Sequence, residues 1–98
     1  MSYTLLVSRA DWSKRDDYIA VKPGVLSQWA DEALDDPEAL VYDPLPASKS
    51  GRSIRTIGYS VSKGAVMTVI TVEDEGVLYG VNAWLSNEKE QRRYREGE

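Results

Sequence analysis

The stretch SIRTIGYSVSKGAVMTVITVEDEGVLYGVNAWL, residues 53–85, decides the fold. It divides into three runs rich in β-branched and aromatic residues, separated by turn signals. Ser53 to Ser60 is the first strand, and Ser62-Lys63-Gly64 turns the chain. Ala65 to Val72 is the second. It is apolar on both faces, with Met67 and Val69 on one and Val66, Ile70 and Val72 on the other, which predicts an interior strand. Glu73 to Gly76 turns again, and Val77 to Leu85 is the third strand. Strict alternation predicts Val77, Tyr79, Val81 and Ala83 on one of its faces. Leu78, Gly80, Asn82 and Trp84 then lie on the other, so Trp84 faces away from the Val77/Tyr79/Val81 side. Two consecutive antiparallel hairpins follow from this spacing.

Upstream of the hairpins the period changes from two to 3.6. Leu26, Trp29, Ala30, Ala33 and Leu34 form one apolar stripe, with Asp31, Glu32 and Asp35 mostly off it, and this predicts a helix with Trp29 in the core. Asp36-Pro37 ends that helix, because a residue before proline avoids helical geometry. An earlier helix runs from Ser13, which with Asp16 resembles a capping box, to about Val21, and Pro23-Gly24 stops it. Tyr3 to Ser8 reads as a short strand, Ala39 to Tyr42 as another, and Asp43 to Gly51 as a loop. Asn87 with Glu90 caps a last helix whose Arg92, Arg93 and Arg95 follow early acids, as the helix dipole favours. The predicted class is α+β: two N-terminal helices, an antiparallel sheet of about four strands and a C-terminal helix, in one domain over residues 1–98.

Composition narrows the chemistry. The chain has no cysteine and no histidine. Disulfides, thiolate metal sites, Ser-His and Cys-His catalysis and His-ligated metals are therefore excluded. No apolar run approaches the ~18 residues of a membrane span, and the start does not read as a signal peptide, so a cytoplasmic location is expected.

The net charge is −4, but it is unevenly spread. From Asp31 to Asp43 there are acids (Asp31, Glu32, Asp35, Asp36, Glu38, Asp43) and no base. From Pro44 to Val72 there are bases (Lys49, Arg52, Arg55, Lys63) and no acid. The plain reading is ordinary solvated surface. The sharper one is a basic face able to meet phosphate. Asp35-Asp36 and Glu73-Asp74-Glu75 lack the spaced oxygen ligands of a cation site and read as solvated surface.

Arg52, Arg55, Lys63, Arg92, Arg93 and Tyr94 form the candidate cluster. Guanidinium and ammonium groups supply charge and several donors to phosphate, and a tyrosine stacks on a base or donates its hydroxyl. Such a set can cleave RNA without metal or histidine, with the adjacent 2′-hydroxyl as nucleophile and the cations stabilising the developing phosphorane charge. Arginines near sheet ends more often snorkel or pair with acids.

The order of several segments resembles the BrnT toxins of the RelE/ParE-like group. Trp12 opens the first helix, and Lys22-Pro23-Gly24-Val25 is similar to the family's lysine-histidine-glycine-valine stop. Glu32 to Pro37 resembles a helix ending in an acidic-proline pair. Arg52 to Gly58, RSIRTIG, looks like the family's arginine-bearing strand, and Val66 to Thr71 like its apolar central strand. Asn87, Glu90, Arg92, Arg93 and Tyr94 look like its closing helix. Together these run from about Trp12 to Gly97.

The resemblance implies a type II toxin with a cognate antitoxin protein as partner and RNA as substrate. It implies a ribonuclease; the candidate cluster would make it a metal-independent endoribonuclease without cofactor, and no membrane partner is expected. By position, Lys22, Arg55, Arg92 and Tyr94 would be the site residues; joined to the candidate cluster, this makes Arg55, Arg92 and Tyr94 the catalytic candidates and Lys22, Arg52, Lys63 and Arg93 the RNA-binding ones. Where the family carries serine-alanine-arginine, this chain reads Asn82-Ala83-Trp84, which makes Trp84 a stacking or interface candidate. The alternative is a non-catalytic protein-interaction domain that keeps the fold without the cleavage site.

Overall fold

The computed structural model describes residues 10–12, 25, 27–42 and 53–97. The predicted strand over Tyr3 to Ser8 and the predicted helix from Ser13 to about Val21 lie outside them. Within them the order is α1 (Ser27–Asp35), β1 (Leu40–Tyr42), β2 (Ser53–Ser60), β3 (Ala65–Asp74), β4 (Val77–Leu85) and α2 (Glu88–Glu96). The strands form one sheet in the order β1-β2-β3-β4, and every neighbouring pair is antiparallel. The class is α+β, with a four-stranded antiparallel sheet and two helices. No helix among the described residues is long and apolar enough to cross a membrane.

The turns follow from their residues. Glu75 and Gly76 both have positive φ, 51° and 82°, so the β3–β4 hairpin closes on two left-handed residues whose twist matches that of the strands. At the β2–β3 turn, the Gly64 N–H closes back on the Ser60 carbonyl at 2.7 Å.

One face of the sheet carries α1. Met67 and Val69 lie fully buried beneath Ala30 and Ala33, and Leu34, Val25, Ala10, Trp12 and Ala83 complete the core. The helix sits unusually low. A Cβ on Gly58 would collide with the backbone of Ala33, so the glycine is what permits this approach. Trp29 was expected in the core and is instead half-buried at its margin, with the Lys63 ammonium 4.8 Å above its ring. It lies in the first turn of α1, beside the β2–β3 hairpin, where a cation covers part of its ring.

At the other edge, Asp11 bridges β4 in parallel fashion. The Asp11 N–H donates to the Leu78 carbonyl at 2.7 Å, and the Gly80 N–H donates to the Asp11 carbonyl at 2.9 Å. Trp12 then lies directly on Gly80, where a side chain would overlap its ring, and its indole N–H donates to Asp31 at 2.8 Å. A residue N-terminal to both helices thus joins the sheet to α1.

The pairing of β3 with β4 departs from strict alternation. Ile70 faces Asn82 while Thr71 faces Gly80, so Val81 has no opposite and forms a bulge. Leu78, Gly80 and Ala83 therefore all turn toward the α1 core. Tyr79, opposite Val72, and Trp84, opposite Thr68, share the other face. The expectation that Trp84 faces away from the Val77/Tyr79 side is corrected: the inserted residue cancels one step of the alternation.

On that second face Ile57 and Thr68 are paired and fully buried, and α2 lies against β2 and β3. The Asn87 side chain accepts from Glu90 N–H and the Glu90 side chain accepts from Asn87 N–H, each at 2.8 Å. Gly97, in the left-handed region at φ 76°, ends the helix. Glu90 is the one residue that α2 buries. Its carboxylate also accepts the Trp84 indole N–H at 3.2 Å, so polar contacts, not an apolar stripe, seat this helix.

Candidate functional site

The register of the sheet builds a row of side chains across all four strands on the α2 side: Tyr42, Arg55, Ile70 and Asn82. Beyond it lies a second row, Ser53, Val72 and Tyr79. The row on the other side, next to α2, holds Ile57 and Thr68, both fully buried, and the half-buried Trp84. All seven residues of the first two rows are half-buried.

Arg55 is the chemical centre of this face. Its Nε is buried and has no hydrogen-bond partner among the described residues. An unused, desolvated donor on a guanidinium is costly, and an anionic ligand would satisfy it. Flanking aromatic rings at Tyr42 and Tyr79 give the surface a character suited to planar groups.

The predicted site residues separate into three groups. Arg55 and Trp84 share this face of the sheet, and α2, which carries Arg92, Arg93 and Tyr94, lies against the same strands. Arg92 is exposed, while Arg93 and Tyr94 are half-buried. Lys63 is not with them. It stands in the β2–β3 turn over Trp29 of α1, on the far side of the sheet, past the end of β2, which itself lies five strand steps, about 16 Å, beyond Arg55. Lys22 and Arg52 lie outside the described residues.

Tyr94 has a defined job in the fold. Its hydroxyl donates to Asp36, the residue that follows α1. That bond, with burial and the Asp36 charge, pushes the phenol up to about 12. Asp36 also accepts from the Tyr59 N–H at 2.8 Å and the Glu38 N–H at 2.9 Å. Burial pushes the Asp36 carboxyl up, but the hydrogen bonds from Tyr94, Glu38 and Tyr59 outweigh it and hold it below its usual range. A phenol so held is a poor proton acceptor near neutral pH.

Glu32 plays a comparable part on the α1 side. It accepts from the Ser62 hydroxyl, from Ser62 N–H at 2.8 Å and from the Ser60 hydroxyl at 2.8 Å, fastening the β2–β3 turn to α1. The Ser62 hydroxyl bond is the largest influence in holding its carboxyl low, against burial, with the remaining hydrogen bonds assisting.

The sequence reading missed Tyr42 and Asn82 as neighbours of Arg55, because cross-strand register is not visible along one strand. It also took Asp36 as a helix stop and as solvated surface. The one local signal for a larger role was the acidic-proline pair itself. Among the described residues no group of three potential ligands is arranged to hold a metal ion. Comparison with known protein families and with curated protein sequences finds no match to the chain.

Proposed function

We propose that the chain is a toxin-like protein of the BrnT kind, the toxin half of a type II toxin–antitoxin pair, and a metal-independent endoribonuclease. The observation that carries this reading is Arg55: a guanidinium with a desolvated, unpartnered Nε on a sheet face bordered by aromatic rings. In this reading a further helix from Ser13 to about Val21 precedes α1, and the protein works in the cytoplasm, paired with an antitoxin.

The chemistry needs little machinery. The 2′-hydroxyl of the substrate attacks the adjacent phosphorus and loses its proton to solvent. The O2′–P bond forms, the P–O5′ bond breaks, and the 5′ oxygen leaves with a proton from solvent. Arg55 neutralises the charge that builds on the non-bridging oxygens, the part of the barrier a fixed cation lowers most. Arg92 and Arg93 extend the positive field along the RNA. Tyr94 contributes by holding α2 in place through Asp36, not by moving a proton.

A second reading, a non-catalytic protein-interaction domain, is favoured by one feature. Trp84 stands where the resemblance expects an arginine, and its indole N–H is spent on Glu90.

Induction of the chain without any partner decides between them. Growth arrest, with RNA cleavage by purified protein in EDTA, supports the ribonuclease. A folded protein that neither arrests growth nor cuts RNA leaves the interaction domain.

A further inference from the structure

A groove of about 320 Å³ opens beside the end of β2, lined by Glu32, Asp35, Asp36, Pro37, Tyr59 and Val61. It exists because the β1–β2 pairing ends at Leu40, opposite Ile57, so on the β1 side the last residues of β2 have no strand beside them. The Asp36 carboxylate takes the strand's place by accepting the Tyr59 N–H. The floor is apolar and unusually open, with Val61 77% and Tyr59 39% exposed. The rim holds three carboxylates, and among the described residues no base lines the groove.

We propose that this groove is a docking site for a basic segment of a partner protein, taking an arginine side chain whose aliphatic stem lies on Val61, Pro37 and Tyr59. Its guanidinium meets the carboxylate rim. The match is of charge and of shape: arginine combines an apolar stem, a planar cation that stacks on an aromatic face, and donors that suit carboxylates.

A bare metal ion fits poorly. The Glu32 oxygens already accept from Ser60, Ser62 and Gln28, and those of Asp36 from Tyr59, Tyr94 and Glu38. These bonds fix the carboxylates to the protein and keep them from converging on one ion. A nucleic acid is repelled by the same rim. The groove opens at the α1 end of the β2 edge, apart from the Arg55 row, so the proposal does not depend on the ribonuclease reading.

The test uses the whole chain and a fluorescein-labelled peptide of alternating arginine and leucine, followed by fluorescence anisotropy in low salt. Asp35 and Val61 are both exposed, and the unfolding midpoints of Asp35→Asn and Val61→Ser, measured alongside, establish that each variant is folded. Asp35→Asn is expected to weaken binding about threefold, the scale of a partly exposed charge pair. Val61→Ser is expected to weaken it about fivefold through lost apolar contact. A peptide with glutamate in place of arginine should not bind. Equal binding by the wild-type chain and both variants overturns the proposal, because the peptide is then drawn only by the net charge. Equal binding of the glutamate peptide overturns it as well.

Discussion

The Tyr94 hydroxyl donates to the Asp36 carboxylate, joining the last turns of α2 to the residue that follows α1 across 58 positions of sequence. Among the described residues no other hydrogen bond of α2 has comparable reach. The helix has nine residues and buries only Glu90, so its own cohesion and apolar packing are slight. The sheet beneath it, with Ile57 and Thr68 fully buried, depends on that helix staying in place.

Tyr94→Phe is therefore expected to lower stability by about 1–2 kcal/mol in urea denaturation, the range for a partly buried hydrogen bond to a charged acceptor. The loss should concentrate in α2. Hydrogen exchange of its amides is expected to accelerate while that of β3 stays close to wild type. The pair should also be coupled: once Asp36→Asn is present, Tyr94→Phe should cost much less than it does alone. Additive losses would show that the two side chains act separately.

Stability should fall toward acid. The Asp36 and Glu32 carboxyls are held below their ordinary values of 3.8 and 4.5. Folding favours their charged forms, so the stability they supply is complete above those values and is lost as pH falls through the lower folded ones. Tyr94 behaves in the opposite sense. Its phenol rises from 10.0 to about 12, so its contribution is complete below 10 and is lost as pH climbs through about 12. Denaturation midpoints are expected to be level between about pH 5 and 9 and to drop on the acid side. Asp36→Asn should shrink the acid drop, and an unchanged profile would place the acid-sensitive groups elsewhere.

Gly58→Ala tests the close approach of α1. The added methyl would meet the Ala33 backbone, which cannot move without lifting the helix from Met67 and Val69. A loss of about 3 kcal/mol is expected, at the upper end for overpacking. Gly80→Ala should act on another element. It pushes Trp12 from its seat, and the tryptophan emission should shift to longer wavelength as the ring meets water. A normal midpoint in the Gly58 variant would mean that the helix and sheet are not packed as described.

What was legible in the sequence is what is encoded locally. Turn residues at Ser62 to Gly64 and Glu73 to Gly76 mark the hairpins, and β3 reads as interior because both its faces are apolar. Asn87 and Glu90 lie three residues apart, so their reciprocal cap is visible before any fold is known. The bulge was not visible. Val81 suits a regular strand as well as any residue, and the reason for the extra step is tertiary: Gly80 must seat Trp12 while Ala83 still faces the core. Asp36 was legible as the end of α1 and illegible as a junction, since its partners come from the turn after α1, from β2 and from α2. The candidate site divides in the same way. Arg55 stands out by residue type, whereas its row with Tyr42 and Asn82 exists only through register.

The last prediction separates structure from function at Arg55. A buried donor without a partner destabilises the chain that carries it. Replacement by an apolar side chain of similar length removes that cost, so Arg55→Met is expected to leave the thermal midpoint unchanged or raise it slightly. If Arg55 holds the scissile phosphate, the same variant should cleave RNA roughly a hundredfold more slowly, as when a fixed donor to a developing oxyanion is lost. Arg9→Ala, outside the cluster, serves as the control for cleavage and should have little effect on it. RNA affinity of the wild type should fall steeply with added salt, and the slope should decrease by about one unit in Arg55→Met, the loss of one phosphate contact. EDTA should leave the rate as it was. A stable variant with full cleavage would remove Arg55 from the site, and a strongly destabilised one would mean that its guanidinium serves the fold. A stable variant inactive toward RNA is the combination that a residue kept for function, at some cost to folding, should produce.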